Sequence, residues 1–317
     1  MHIDEVDTSE ELVRRLLVKQ FPQWASLPIT PVSSAGTDHA LYRLGAGLCA
    51  RLPRIGWALG QADKEARWLP QLAPRLPLAV PVQLARGAPG EGYPWPWSVY
   101  RWLAGDSAAP GQITDLTGAA IDLARFIRAL QDSDPTGGPA AGEHRLRGAP
   151  LTTRDADTRA ALSRLQGLCD TDLALRVWEA ALTAPAWDRD PVWFHGDLLP
   201  GNLLVRQGRL TAVIDFGGLG VGDPACDLMP AWALFSGDSR RAFRTALGVD
   251  DATWVRGRGH ALAQAAIFIP YYLHSNPVGV ANARRQIAAV LDDFQARTLP
   301  DDNAQSLPDN GVRRGVD

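Results

Sequence analysis

His195-Gly196-Asp197-Leu198-Leu199-Pro200-Gly201-Asn202, followed by Ile214-Asp215-Phe216-Gly217, sets two carboxylates and one carboxamide at the spacing of a magnesium-nucleotide phosphoryl-transfer site. That chemistry needs a base or orienter for the acceptor hydroxyl and hard oxygen ligands for magnesium. Asp197 suits the first role. Asn202 and Asp215 suit the second. The positioning elements are legible around them. A short apolar run, Val192 to Phe194, leads into the loop that carries Asp197. Leu203 to Val205 and Leu210 to Ile214 read as two strands about a Gln207-Gly208-Arg209 turn. Such a hairpin returns Asp215 to the side of Asn202.

The pattern His-Gly-Asp-x-x-x-x-Asn, a short hairpin, Ile-Asp-Phe-Gly and then Gly222-Asp223-Pro224-Ala225-Cys226-Asp227-Leu228 resembles the aminoglycoside phosphotransferase and choline kinase group, which includes macrolide phosphotransferase-like members and is related to protein kinases. The resemblance follows element order over roughly residues 30 to 290, and its specificity sits in residues 194 to 228. It implies Asp197 as catalytic aspartate, Asn202 and Asp215 as metal ligands, and His195 and Asp227 as braces of the loop. It further implies an α+β, two-lobed protein-kinase-like fold, with a small antiparallel-sheet N-lobe over 1–103 and a larger, mainly helical C-lobe over 104–300. Mg2+ and a purine nucleotide, ATP or GTP, are the implied cofactors. The implied partner is a small molecule offering a hydroxyl: an antibiotic of aminoglycoside or macrolide type, or a metabolite such as choline, a sugar or homoserine. A nucleotide-binding protein without catalysis is the reading from a different class.

The N-terminal half supplies the elements such a nucleotide lobe requires. Leu12, Leu16 and Leu17 fall on one face of a helix opened by Ser9 and running to about Gln20. Pro31 to Leu44 reads as strand, turn, strand, and the small residues Ser34, Gly36 and Thr37 in the turn can bring backbone N–H groups to phosphates. The same residues also suit an ordinary hairpin turn. Leu48 to Pro53 is the next strand, and it carries Arg51 where the related folds usually place a phosphate-binding lysine. Arginine keeps the charge and offers a planar fork to phosphate oxygens. Gln61 to Leu72 has helical spacing and places Glu65 as a partner for Arg51, or alternatively for Arg67 or Lys64 on the surface. Pro77 to Leu84 and Trp97 to Trp102 are expected as strands about a Gly/Pro-rich hairpin. Tyr100 and Trp102 then lie at the connector between lobes, where backbone groups would meet the purine edge.

The C-terminal half reads as helices. Asp115 to Leu130 has a long apolar stripe, and residues 132–151 form a Gly/Pro-rich loop, either a substrate lid or disordered. Helices are expected over 156–167, 172–182, 228–235, 238–247, 252–272 and 276–298, with Pro270 kinking or ending the fifth of these. The polar segment 301–317 is expected to be a disordered tail. The aromatics Trp232, Phe235, Trp254, Phe268, Tyr271 and Tyr272 would suit an apolar acceptor but equally suit a core. His260 and Asp227 are expected to be structural hydrogen-bonding residues. No glutamate follows Glu179, and later aspartates are balanced by arginines, which weighs against a pocket for a polycation.

Composition sets the outer limits. The chain of 317 residues, 46% hydrophobic, can bury the cores of two lobes. A net charge of −3 gives no general drive toward nucleic acid or an anionic membrane. Cys49, Cys169 and Cys226 share no metal-ligand spacing, and Met1 to Ser9 is acidic, unlike a signal peptide. The expectation is a cytoplasmic protein with neither nucleic acid nor membrane as partner. Lys19 and Lys64 are the only lysines, so arginine must do the work of binding phosphate.

Overall fold

The computed structural model describes residues 6–32, 38–109, 111–143 and 146–298. The side chain of Ser9 accepts the N–H of Leu12 at 3.2 Å and so opens helix α1 (Glu10–Gln20). The buried face of α1 (Leu12, Val13, Leu16, Leu17) lies on a sheet built from β1 (Ile29–Pro31), β2 (His39–Leu44), β3 (Leu48–Pro53), β4 (Gln83–Gly87) and β5 (Trp97–Arg101). Every pairing is antiparallel, in the order β1-β2-β3-β5-β4. Helix α2 (Gln61–Leu72) intervenes between β3 and β4. Its Trp68, Leu69 and Leu72 join the core of the other lobe, so α2 is shared between the two.

The expected strand over Pro77 to Leu84 forms later in the chain, as β4. Pro77 and Pro81 lack the N–H a ladder needs. The segment instead makes one bridge to the far lobe: Ala79 N–H donates to Thr211 O at 3.1 Å, and Val213 N–H donates to Ala79 O at 2.9 Å.

After β5 the chain enters a mainly helical lobe. The short β6 (Asp106–Ser107) precedes α3 (Leu116–Gln131), α4 (Asp155–Ser163), α5 (Thr171–Thr183) and β7 (Val192–Phe194). The hairpin β8 (Leu203–Arg206) and β9 (Arg209–Val213) follows, then β10 (Gly220–Gly222), α6 (Pro230–Ala233), α7 (Gly237–Leu247), α8 (Asp251–Tyr272) and α9 (Pro277–Thr298). β6, β8 and β9 form one antiparallel sheet, and β7 pairs with β10 in another. Two expected helices are shorter than their apolar pattern suggested. α4 stops at Ser163, ahead of Gly167 at φ 79°; in place of a helix from Leu228, a 3-10 turn ends at Leu228 and α6 starts at Pro230, with Pro224 and Pro230 each at a helix start. Pro270 falls in the last turn of α8, which continues to Tyr272. Trp232, Phe235 and Trp254 are core residues, whereas Tyr271 is 56% exposed. Segment 301–317 lies outside the described residues. Among the described residues, no helix is long and apolar enough to cross a membrane.

α3 is the axis of this lobe: Ala120, Leu123, Ala124, Phe126, Ile127 and Leu130 are fully buried. Phe126 meets Phe216 edge-on at 6.5 Å, so the lobe's core supports the Asp215-Phe216-Gly217 turn directly. Phe126→Ala is therefore expected to cost about 3–5 kcal/mol of stability. A urea midpoint within error of wild type would show that this contact carries no such weight.

Candidate active site

The segment that carries Asp197 is held from beneath. Asp227 is fully buried and accepts two backbone N–H groups at 2.7 Å, from His195 to Oδ2 and from Gly196 to Oδ1. Burial pushes its carboxyl up, opposed by the field of His195 and by those two N–H groups. His195 Nδ1 accepts the N–H of Asp197 at 3.2 Å, which assigns the ring proton to Nε2, and Nε2 donates to Ile214 O at 3.1 Å. One imidazole thus ties the loop to the end of the β8–β9 hairpin. Gly196 has φ 83°, and a Cβ there would stand 2.7 Å from Gly218 O, so only glycine fits.

Asn202 donates from Nδ2 to Asp197 O at 2.8 Å and to Asp197 Oδ2 at 3.2 Å. Those bonds use its amide hydrogens and leave its side-chain carbonyl oxygen as an acceptor. Ile214 N–H donates to Asn202 O at 2.9 Å, and Leu203 pairs with Val213 across the hairpin. Asp215 therefore emerges beside Asn202, as the hairpin pattern required. It does so in the left-handed region, at φ 64°, a conformation aspartate tolerates better than most residues.

Arg51, projecting from β3, is the hub. Its Nη1 donates to both Glu65 oxygens, at 2.8 and 2.9 Å, and its Nη2 donates to Asp215 Oδ1 at 2.9 Å. Gln61 Oε1 and His39 Nδ1 each lie 3.3 Å from Nη2. Burial disfavours the guanidinium charge, but Glu65 and then Asp215 more than compensate and raise its pKa. Asp215 is affected in the opposite sense: partial burial pushes its carboxyl up, and Arg51, His39 and His195 bring it below the usual carboxylate range. Glu65 is saturated, since it also accepts Tyr100 Oη at 2.6 Å and the Phe216 N–H at 3.1 Å. The Arg51–Glu65 pair expected from element order is thus formed, and Glu65 turns away from Arg67 and Lys64.

Other expected residues are placed as follows. Tyr100 points its hydroxyl at Glu65, so it supports Arg51 from β5. The ring of Trp102 lies under Arg43, with 4.9 Å from the guanidinium carbon to the ring centre, and the Trp102 backbone N–H donates to Gly47 O at 2.8 Å. Ser34, Gly36 and Thr37 lie outside the described residues. Two participants were not foreseen. Lys64 donates to Gly217 O at 2.9 Å and Leu219 O at 3.1 Å, so α2 grips the turn after Asp215 with two consecutive residues. Arg147, from the 132–151 loop, sets Nη2 2.7 Å from Asp197 Oδ1 as an ion pair rather than an aligned hydrogen bond. A lysine adjacent to Glu65 is a faint sequence signal for the first; nothing in a Gly/Pro-rich loop signals the second.

The acceptor oxygens left over are hard oxygen donors of the kind Mg2+ takes. Asn202 keeps a free carbonyl oxygen role, and Asp215 gives Oδ1 to Arg51 while its side chain stays 42% exposed. Among the described residues, no group of three or more His, Cys, Asp or Glu side chains could hold a metal ion alone.

A twisted antiparallel sheet over a helical lobe, with a buried cation joining a strand, a helix glutamate and an aspartate after a hairpin, defines the kinase-like phosphotransferase fold. Residues 29–262 match the model of the phosphotransferase enzyme family, APH, and the chain belongs to that family. No curated protein matches the chain. Among solved structures it is similar to the GDP and kanamycin complex of APH(2")-IIia, with TM-score 0.68 and 19% identity, covering 90% of this chain and 99% of that one. Macrolide 2'-phosphotransferase type I gives TM-score 0.59 and 20% identity, covering 89% and 98%. Macrolide 2'-phosphotransferase MphH from Brachybacterium faecium gives TM-score 0.56 and 24% identity, covering 88% and 98%. At these identities the likeness is one of fold.

Arg51→Lys keeps the charge but cannot reach Glu65 with a fork and Asp215 at once. It should lower stability by about 1–3 kcal/mol, as expected when a buried charged acceptor loses a partner. An unchanged urea midpoint would remove Arg51 from its place as the hub.

Proposed function

We propose that the chain is a small-molecule kinase, which passes the γ-phosphate of ATP or GTP to a hydroxyl of an antibiotic-type acceptor. The observation that carries this reading is the convergence of Asp197, Asn202 and Asp215 on one loop and one hairpin, facing the Arg51–Glu65 pair. Asp197 orients the acceptor hydroxyl and takes its proton. Asn202 and Asp215 are the residues that would hold Mg2+, which when bound neutralises charge on the phosphate oxygens. Arg51 gives the phosphates a fixed cation, and Glu65 fixes the direction of its fork. The backbone of the segment after β5 meets the purine. A cellular metabolite as acceptor is the second reading, and the arginines near Asp197 favour it, because a polycationic aminoglycoside gains nothing beside Arg147.

Two substitutions test the roles. Asp197→Asn should lose turnover on the order of 10²–10⁴-fold while nucleotide still binds. Near-normal nucleoside-diphosphate release by that variant would sink the assignment. Asp215→Ala should weaken magnesium-dependent nucleotide binding in calorimetry, and a metal response equal to wild type would argue against its ligand role.

A further inference from the structure

The two oxygens of the Asp197 carboxylate have unlike surroundings. Oδ1 is buried from solvent with no hydrogen-bond donor aligned on it, and Arg147 Nη2 stands 2.7 Å away as its ion-pair partner. Oδ2 accepts Asn202 Nδ2 at 3.2 Å. The side chain as a whole is 25% exposed, so an incoming hydroxyl can reach the carboxylate only through Oδ2. A carboxylate oxygen accepts more than one hydrogen bond, and the contact with Asn202 leaves Oδ2 a lone pair to spare.

Arg147 is itself held in place. Its loop is stitched to β10: Ala141 N–H donates to Val221 O at 3.0 Å, and Val221 N–H donates to Pro139 O at 2.8 Å. Gly142 N–H donates to Arg147 O at 2.8 Å and closes a turn. Leu146 at φ 59° and Gly148 at φ 65° flank Arg147 in the left-handed region. A Cβ on Gly148 would stand 2.3 Å from the Phe194 ring, and one on Gly196 would stand 3.2 Å from Arg147 Cβ. The loop thus rests on β7 and on the segment that carries Asp197, through close approaches that glycine permits. The void that Arg147 borders with Arg154, Cys226, His260 and Gln264 is about 10 Å³, room for a single water at most. The guanidinium has no space there into which to swing.

We propose that Oδ2 is the oxygen of Asp197 that receives the acceptor proton, and that Arg147 is a positioning residue, which holds Oδ1 and so fixes the plane in which Oδ2 is presented. The inference deepens the kinase reading and rests on it. In the transfer, the acceptor oxygen bonds to the γ-phosphorus. The bond from that phosphorus to the β–γ bridging oxygen breaks, its electron pair leaves on the nucleoside diphosphate, and the hydroxyl proton passes to Oδ2. Such a transfer gains more from orientation than from a strong base. An unheld carboxylate turns freely about its last side-chain bond and would trade one oxygen for the other. A guanidinium on Oδ1 and an amide on Oδ2 oppose that rotation from two sides.

Magnesium-dependent release of nucleoside diphosphate from ATP or GTP, with water as the hydroxyl, reads this role without a named acceptor. Arg147→Ala should lower kcat roughly ten- to a hundredfold, the cost of misplacing a reacting group by about 1 Å, with the nucleotide KM unchanged. Arg147→Lys, which keeps a cation beside Oδ1, should recover most of that loss. Arg147→Ala combined with Asp197→Asn should be no slower than Asp197→Asn alone, because the two residues act as a unit. The affinity for ADP with Mg2+ is the control for folding. A wild-type kcat in Arg147→Ala, a loss confined to KM, or an equal loss in both backgrounds would overturn the inference. A crystal structure of the full chain with ADP and Mg2+ reads the contact without turnover. Arg147 should stay roughly 3 Å from Oδ1, with Oδ2 open toward the nucleotide; Arg147 withdrawn and Oδ1 exposed would overturn it. A wild-type chain that binds no ADP with Mg2+, or binds it and transfers to no hydroxyl, would instead strike the kinase reading itself, so the two failures are distinct.

Discussion

One buried guanidinium sets the relation between the lobes. Arg51 stands on β3 of the sheet, takes Glu65 from α2 and reaches Asp215 at the end of the hairpin in the other lobe. Its side chain is only 11% exposed, and the Glu65 side chain is not exposed at all. Removing either partner would strand a desolvated charge, which is the condition under which an ion pair matters most. The surrounding polar groups are arranged to prevent that. Tyr100 and the Phe216 N–H complete Glu65, and Gln61 and His39 approach the remaining edge of the guanidinium. Lysine, with three donors on a point charge, could not serve both carboxylates in this geometry. The near absence of lysine from the chain therefore leaves its mark on the site.

The same turn is fixed from two more directions. Lys64 holds the carbonyls of Gly217 and Leu219, and His195 holds that of Ile214. Between those anchors Asp215 adopts a left-handed conformation that places its carboxylate on the cleft side. Asp227 acts equivalently for the neighbouring loop through its two N–H bonds. The residues proposed to do chemistry are thereby left half-exposed on rigid supports, while the charged residues that position them are buried. On the proposed reading, phosphate oxygens would compete with Asp215 for the Arg51 guanidinium, and Mg2+ would compete with Arg51 for Asp215 Oδ1.

How much of this was legible in the sequence depended on whether the signal was local. The His195 to Asn202 spacing, the hairpin and the Asp215 turn are contiguous, and each adopts the expected form. The Arg51–Glu65 pair spans a strand and a helix whose periodicities were both clear, so element order sufficed. The strand expected from Pro77 failed because apolar alternation was weighed over two prolines that cannot donate to a ladder. α4 and α6 were over-extended for a similar reason, since apolar spacing runs on toward Gly167 beyond the end of α4 and begins before Pro230, which starts α6. Arg147 was illegible: it reaches Asp197 across 50 residues of chain from a loop with no periodicity, and only tertiary packing brings it there. Lys64 lay beside a residue already singled out, yet its partners are backbone carbonyls, which leave no trace in composition.

The chain belongs to the phosphotransferase enzyme family, and the proposed reaction turns on the Asp197 carboxylate. The most direct measurement follows the fate of a radiolabelled γ-phosphate supplied as ATP or GTP with Mg2+, across aminoglycosides, macrolides and small hydroxy acids. The account predicts that label moves to an organic acceptor only with the Asp197 carboxylate present. Label retained on the nucleotide with every acceptor, or transferred equally well by the Asp197→Asn variant, would contradict it.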